Sequence, residues 1–319
     1  MNAGQKNGQE NSKRKVMNTE IKIANAPCSW GALEFELEGK SLGYEQVLDE
    51  MQEAGYAGTE LGDWGFMPTD PTALHAAITK RNFQLLGAFV PVALKNAEAH
   101  DAGVQKAVQT AALMYEAGYK DAFIVLADEN GSVEYRTKNA GRITPEDILG
   151  NEEMDVFAEG AEKIAQAVKN QYGMRTVFHH HCAGYIETPE EIEALLERTN
   201  PRLLGLCFDT GHFSFGGGSD HVAFLRKHFD RIWHVHFKDF SPEVAANAAN
   251  NNWDYFASVS NGVFCELGKG SVDFESVKNE LEKSGYNGWI VVEQDILPGM
   301  GNPKQCALNN RNYLHSIGL

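Results

Sequence analysis

Eight short runs of apolar and β-branched residues recur along the chain, and amphipathic segments separate them. The runs are continuously apolar rather than alternating, which is typical of strands buried on both faces of a parallel sheet. The predicted strands are 21–26, 57–61, 85–90, 122–127, 176–179, 203–208, 232–237 and 289–293. This pattern predicts an α/β fold built on a parallel sheet.

The segments between the predicted strands have the apolar spacing of amphipathic helices. At three of their starts, Asp70, Thr188 or Asn302 precedes a proline, which places a capping side chain directly before the first helical position. Strands and helices that alternate eight times predict a (β/α)8 TIM barrel as a single domain over residues 21–319. A doubly wound sheet is the alternative arrangement of the same elements.

Composition narrows the class of protein further. Residues 1–20 are polar without an apolar face, so they are expected to form a disordered tail. No apolar run is long enough to span a membrane and no secretion signal is evident, so a cytoplasmic protein without a membrane partner is expected. The net charge of −16 opposes binding to phosphate backbones, which excludes nucleic acid as a partner. The five cysteines include no CxxC pair, which argues against a cysteine zinc site.

Polar, aromatic or ionisable side chains lie at or just beyond the ends of the predicted strands. Because a barrel gathers the carboxyl ends of its strands around one mouth, these side chains should meet there. They are Trp30, Glu60, Asp128, Glu129, His179, His181, Asp209, His212, His236, Lys238, Glu293 and Asp295. Any one of them could be an ordinary loop residue, but their recurrence on many strands favours a functional site.

Imidazole and carboxylate groups in this set are the ligands that Mn²⁺, Co²⁺, Zn²⁺ or Fe²⁺ accept, and a site without cysteine ligands favours catalysis over a structural zinc. Strand alternation places His179 and His181 on one side and His180 on the other, so His180 is the least suitable ligand. The competing interpretations are imidazoles that only hydrogen-bond the backbone and an Asp209 that only caps a helix. We favour a site with two histidines and two carboxylates.

Two long loops, 128–151 and 239–272, follow the fourth and seventh predicted strands and therefore lie at the same end of the barrel. Loops longer than about 12–15 residues in compact domains are usually functional or disordered. The second loop contains Trp253, Tyr255 and Phe256 rather than purely polar sequence. We expect a partly closing lid, and a surface elaboration or a dimer contact is the alternative.

Several of these segments together resemble one enzyme family. They are 26–27 with Trp30, 58–60, 178–181, 209–212, 231–239, 261–264, 268–274 and 288–293. At these positions the chain resembles the xylose isomerase-like TIM-barrel superfamily of sugar isomerases, epimerases and related enzymes. Within it, the similarity is greatest to the inosose (2-keto-myo-inositol) dehydratase branch.

The resemblance implies a metal site. Members of the superfamily usually hold a divalent metal with a glutamate, an aspartate, a histidine and a second glutamate from strands five to eight. Asp209, His236 and Glu293 match the last three, and His179 stands where the first glutamate is expected, with His181 as the fallback. The implied ion is Mn²⁺ or Co²⁺ before Zn²⁺, Fe²⁺ or Mg²⁺.

The resemblance also implies roles at the substrate. Glu293, His212, Lys238 and His181 are the expected catalytic groups. The expected substrate-binding residues are Trp30, Glu60, His181, His212 and Lys238. Superfamily epimerases use two carboxylates on opposite faces of the substrate, and an imidazole in place of one carboxylate breaks that symmetry.

The expected function is therefore removal of a proton next to the carbonyl of a sugar or polyol, with loss of water, by an inosose dehydratase-like lyase. A ketose isomerase or epimerase at the same metal site is the first alternative, and a non-catalytic sugar-binding barrel is the second. The resemblance further implies that the chain can form a homo-oligomer.

Overall fold

A computed structural model describes residues 21–31, 42–297 and 300–319. The predicted tail, residues 1–20, lies outside the described residues. The described strands are β1 Lys22–Asn25, β2 Gly58–Thr59, β3 Gln84–Leu85, β4 Gly87–Pro91, β5 Phe123–Ala127, β6 Arg175–His179, β7 Leu204–Asp209, β8 Ile232–Phe237, β9 Asp239–Phe240, β10 Phe264–Cys265 and β11 Trp289–Val292. All eight predicted strands are present in this set.

Nine of these strands form one parallel sheet in the order β3-β2-β1-β11-β8-β7-β6-β5-β4. The two end strands, β3 and β4, are halves of one predicted strand that is interrupted at Leu86. The backbone N–H of Leu86 donates to Thr59 on one side at 3.0 Å, and its carbonyl accepts from Phe123 on the other at 2.8 Å. Leu86 thus joins the two ends of the sheet into the predicted (β/α)8 barrel, and the doubly wound alternative is wrong.

Helices surround the sheet. Within the described ranges they are α1 Tyr44–Glu53, α2 Pro71–Thr79, α3 His100–Glu116, α4 Glu134–Lys138, α5 Asn151–Tyr172, α6 Pro189–Arg198, α7 Thr210–Phe215, α8 His221–His228, α9 Pro242–Asn251, α10 Tyr255–Ser260, α11 Phe274–Ser284 and α12 Pro303–Ser316. Short 3-10 helices are formed by Pro27–Trp30, Ala97–Ala99 and Phe229–Arg231. The main hydrophobic core fills the space between the sheet and the helices.

The sequence signals for helix starts have the expected geometry. Asp70 accepts a hydrogen bond from the N–H of Ala73 at 2.8 Å, and Asn302 accepts one from Gln305 at 3.2 Å. At the start of α6, Thr188 and Glu191 form a reciprocal capping box. Each cap satisfies N–H groups that the first turn of a helix leaves without partners.

The two long connections are more ordered than the loops that the sequence predicts. The first contains α4, and the second contains α9 and α10 between the two strands of the β9–β10 hairpin, which is antiparallel. A separate small hydrophobic cluster, which includes Ala183, Tyr255, Val259 and Leu297, packs between the connections. Among the described helices, none has the length and apolarity that crossing a membrane requires.

Candidate active site

Strand alternation turns one side chain from each of four neighbouring strand ends into the barrel. Val125, Val177 and Cys207 pack together inside the barrel, and positions two residues after Val177 and Cys207 face the same way. Those positions are His179 and Asp209. His236 on β8 lies beside Asp209 in the register, and Glu293 follows β11, the other neighbour of β8.

These four residues form a buried cluster whose ligand atoms all lie within 4.8 Å of one another. His179 Nε2 is 3.7 Å from Asp209 Oδ2, and His236 Nδ1 is 3.9 Å from that oxygen and 3.3 Å from Glu293 Oε1. Ligand atoms about 2.0–2.2 Å from a common metal lie roughly 3–4 Å apart, so the spacing suits one divalent ion. We call these four residues the metal quartet.

The hydrogen bonding of the metal quartet also fits a cation. Both ring nitrogens of His179, Asp209 Oδ2 and His236 Nδ1 are buried and have no hydrogen-bond partner among the described residues. A buried polar atom without a partner costs about 1–3 kcal/mol. Because His179 Nε2 and His236 Nδ1 both lie within 3.9 Å of Asp209 Oδ2, one cation can serve these three atoms. Burial lowers the pKa of His179 to about 3, with help from nearby His236, so the ring is neutral and one of its nitrogens has a free lone pair.

Asp209 combines the two roles that the sequence left as alternatives. Its Oδ1 accepts a hydrogen bond from the N–H of His212 at 2.8 Å and so caps α7, whereas Oδ2 faces His179 and His236. The cap holds the carboxylate in a single orientation. Gly211, two residues further along, lets Lys238 pack closely against the backbone, because a Cβ at position 211 would lie 2.6 Å from the side chain of Lys238.

Glu60 orients two histidines, and one of them, His236, belongs to the metal quartet. Its Oε1 accepts from His234 Nε2 at 2.7 Å and from His236 Nε2 at 3.0 Å. Burial acts to raise the pKa of Glu60, but the two histidines outweigh it and lower that pKa to about 2. Because His236 Nε2 is engaged by Glu60, Nδ1 is the ring nitrogen of His236 that faces the other three residues of the metal quartet.

Lys238 is a buried cation beside the metal quartet. Its Nζ lies 2.9 Å from Asp295 Oδ1, 3.2 Å from Glu293 Oε2 and 3.1 Å from His212 Nε2. Burial acts to lower the pKa of Lys238, but Asp295, Glu293 and Asp209 outweigh it and hold that pKa well above its usual value. The side chain is therefore an ammonium group within reach of Glu293.

A cavity connects these groups to solvent, and the empty space in and around it, open solvent included, is about 710 Å³. Its walls include the metal-quartet residues His179, His236 and Glu293, and also Glu60, Asp63, His181, Lys238, Asp295, Phe89, Tyr255 and Phe256. Burial raises the pKa of Asp63 to about 6.

Some predicted site residues lie elsewhere. The Trp30 side chain is 3% exposed and donates to Glu50 at 2.7 Å, and it is not among the residues that line the cavity. His212 is fully buried behind Lys238 and His181, which separate it from the cavity. Asp128 accepts from the N–H of Tyr185 at 2.9 Å and anchors a loop. The expected substrate contacts of Trp30 and His212 therefore lack support in this geometry.

Two cavity residues were not assigned a role from the sequence. Asp295 lies two residues beyond Glu293, so the alternation that selects Glu293 could have selected it too. Tyr255 comes from the connection after β8, and its hydroxyl lies 3.3 Å from both His181 Nε2 and Asp295 Oδ2. Only its aromatic character within a long loop marked it in the sequence.

The chain is a parallel (β/α)8 barrel that carries a buried cluster of histidines and carboxylates, the donors that divalent metal ions accept, at the carboxyl ends of its strands. The sequence profile of the family described as xylose isomerase-like TIM barrel matches residues 48–310 of the chain. The chain belongs to the xylose isomerase-like TIM-barrel family.

Similar proteins extend this result. The chain is 32% identical over 295 residues to inosose dehydratase of Geobacillus thermodenitrificans, which covers 92% of the chain and 96% of that relative. It is 31% identical over 301 residues to inosose dehydratase of Clostridium botulinum, and that match covers 93% of this chain and 97% of the relative. The solved structure of the IolI protein with a bound zinc atom has a TM-score of 0.62 at 14% identity, covering 93% of this chain and 98% of that one. That last similarity shows the fold alone.

Proposed function

We propose that the protein is a divalent-metal-dependent dehydratase that removes water from a neutral keto-polyol such as 2-keto-myo-inositol. The observation that carries this proposal is the meeting of the metal quartet and the Lys238 ammonium at one cavity. Proton removal next to a carbonyl and departure of a hydroxyl group need an electrophile, a base and an acid. The cavity offers residues suited to each requirement.

His179, Asp209, His236 and Glu293 would hold the cation. Two imidazoles and two carboxylates suit Mn²⁺ or Co²⁺, and Zn²⁺ and Fe²⁺ accept the same donors. A divalent ion bound there supplies Lewis-acid polarisation of the substrate carbonyl, which acidifies the neighbouring C–H bond. Glu60 keeps His236 in the orientation that the site requires.

Glu293 and Lys238 can move the protons of the elimination. Glu293 takes the proton from the carbon beside the carbonyl, the carbon–oxygen bond at the next carbon breaks, and Lys238 donates a proton to the departing hydroxyl, which leaves as water. Because Lys238 Nζ and Glu293 Oε2 are 3.2 Å apart, the proton on Glu293 can return to Lys238. Both groups are then restored to their starting states.

The charge of the cavity favours an uncharged substrate. Four carboxylate side chains line it, those of Glu60, Asp63, Glu293 and Asp295, whereas Lys238 is the single Lys or Arg among the lining residues that the structure describes. Lys238 is already paired with two of the carboxylates. A phosphorylated or acidic substrate would meet repulsion, whereas the hydroxyl groups of a polyol can donate to the carboxylates.

The first test is the ultraviolet absorbance of 2-keto-myo-inositol incubated with protein saturated in Mn²⁺ or Co²⁺, beside a sample treated with a chelator. We expect a metal-dependent rise as the conjugated or enolised product forms. A ketose product of unchanged mass would instead identify an isomerase or epimerase. No change in any ketose, with the cation bound, would refute catalysis and leave a sugar-binding barrel.

A further inference from the structure

Tyr255 reaches the cavity from an insertion rather than from a barrel strand. It is the first residue of α10, and Asp254 caps that helix by accepting from the N–H of Ala257 at 2.8 Å. The side chain is 2% exposed and lines the cavity. It therefore faces the cavity rather than bulk solvent.

The insertion holds Tyr255 in a defined position. Tyr255 packs in the small hydrophobic cluster with Ala183, Val259 and Leu297. The backbone before it is held from the other long connection, because Arg142 donates to the carbonyl of Trp253 at 3.0 Å. A side chain fixed in this way can define where a substrate group lies.

The hydroxyl of Tyr255 has two acceptors for its one proton. His181 Nδ1 lies 2.5 Å from the carbonyl oxygen of Cys182, and because a carbonyl can only accept, Nδ1 carries the proton of the ring. His181 Nε2 is therefore an acceptor, as is Asp295 Oδ2, and each lies 3.3 Å from the Tyr255 hydroxyl. Whichever acceptor Tyr255 does not serve can accept a proton from a hydroxyl group in the cavity.

We propose that Tyr255, Asp295 and His181 form a binding subsite for a hydroxyl group of the substrate. The subsite rests on the proposed function. It identifies the group that decides which substrate carbon faces Lys238. The substrate hydroxyl donates to Asp295 Oδ2 and accepts from the hydroxyl of Tyr255, and His181 Nε2 is the second acceptor at this point. Asp295 Oδ1 lies 2.9 Å from Lys238 Nζ, so a hydroxyl bound at Oδ2 fixes the position of the carbons next to the proton donor.

The subsite makes Tyr255 a specificity-determining residue. Tyr255 contributes a single hydroxyl to the subsite. Tyr255→Phe therefore deletes one oxygen and retains the ring that packs in the cluster. Tyr119→Phe is the matched control, because Tyr119 is also buried but lies beside His75 and does not line the cavity. The loss of a hydrogen bond in a charged network corresponds to a decrease of about 10- to 100-fold in affinity or in kcat/KM.

The experiment measures kcat/KM and ligand-induced thermal stabilisation of the metal-loaded protein with 2-keto-myo-inositol and its monodeoxy analogues. We expect the unsubstituted protein and Tyr119→Phe to discriminate against one monodeoxy analogue by about 10- to 100-fold. Tyr255→Phe should bind the full ketone more weakly by a similar factor and discriminate against that analogue by less than about 3-fold.

Two results would overturn the subsite. One is unchanged discrimination in Tyr255→Phe, and the other is an equal loss for the ketone and every analogue, which would indicate a structural role. Failure of the proposed function has a different signature. If the unsubstituted protein binds the ketone but eliminates no water, the dehydratase proposal fails, and Tyr255-dependent discrimination in binding still supports the subsite.

Discussion

At the scale of single residues, the site depends on groups that orient the metal quartet as much as on the quartet itself. Glu60 matches a position where the family resemblance implies a substrate contact, and its carboxylate lines the cavity, yet Oε1 is engaged by His234 and His236. A carboxylate that fixes a histidine ring keeps the opposite nitrogen directed at a metal. We therefore assign Glu60 a positioning role.

This role predicts that Glu60→Gln weakens binding of Mn²⁺ or Co²⁺ by about 10- to 100-fold, although Glu60 is not one of the proposed ligands. The measurement is calorimetric titration of the metal-free protein. Asp63→Asn is the control, since Asp63 is a carboxylate of the same cavity outside the metal quartet. Equal affinities in Glu60→Gln and Asp63→Asn would contradict the assignment.

At the scale of elements, buried charges attach the first long connection to the barrel. Arg136 on α4 donates to both carboxylate oxygens of Glu191 on α6 at 2.9 and 2.8 Å, and both side chains are at most 1% exposed. Arg136 also donates to the carbonyl of Gly184 at 2.7 Å. The pair thereby holds the turn that follows His181 against the helix layer.

Breaking this pair should be costly, because removal of Arg136 leaves the buried Glu191 carboxylate without its counter-ion. We expect Arg136→Met to lower the free energy of unfolding by about 3–5 kcal/mol. Arg198→Met, which removes the more exposed pair with Asp155, should cost less than about 1 kcal/mol. Thermal unfolding of both variants tests the difference, and similar melting temperatures would show that the buried pair does not anchor the connection.

At the scale of the whole molecule, the barrel brings together the four residues of the metal quartet, which are spread from position 179 to 293 in the chain. A cation bound by all of them links four strand ends, and it interacts with the native state alone because the unfolded chain cannot gather the ligands. Such binding stabilises the fold by mass action. Metal content and stability should therefore change together.

A cation at about 100 times its dissociation constant adds about 2.7 kcal/mol, which for a chain of 319 residues corresponds to a rise of roughly 4 °C in the melting temperature. We expect this rise on addition of Mn²⁺ or Co²⁺ and its reversal by a chelator. His179→Ala should remove most of the metal-dependent rise, whereas His315→Ala, on the exposed end of α12, should retain it. A rise that persists in full in His179→Ala would place the cation elsewhere.

The candidate site shows how much of its composition strand alternation alone can predict. His179, Asp209, His236 and Glu293 all lie at the ends of buried strands, and their period of two residues is a local property that the sequence displays directly. The alternation also separates His180, whose Nε2 accepts from the backbone of Asp209 at 3.2 Å, outside the metal quartet. The metal-ligand assignment itself remains a proposal that the titrations above test.

The glycines of residues 216–218 show where local interpretation ends. Three consecutive glycines are typical of backbone that another group approaches closely, and a Cβ on Gly216 would indeed collide with the carbonyl of Glu187, but that neighbour is the chain itself. Trp30 and His212 likewise follow strands and yet turn into the interior. A residue's type and its distance from a strand do not determine which neighbour it packs against.

The sequence alone determined the eight strands, the helix starts and the inward face of each strand, because periodicity and capping depend on residues close together in the chain. Closure at Leu86, the contact of Glu60 with two histidines, the buried Arg136–Glu191 pair and the entry of Tyr255 into the cavity were decided only by the tertiary structure. Each of these joins residues distant in sequence, and its partners are selected by packing in three dimensions.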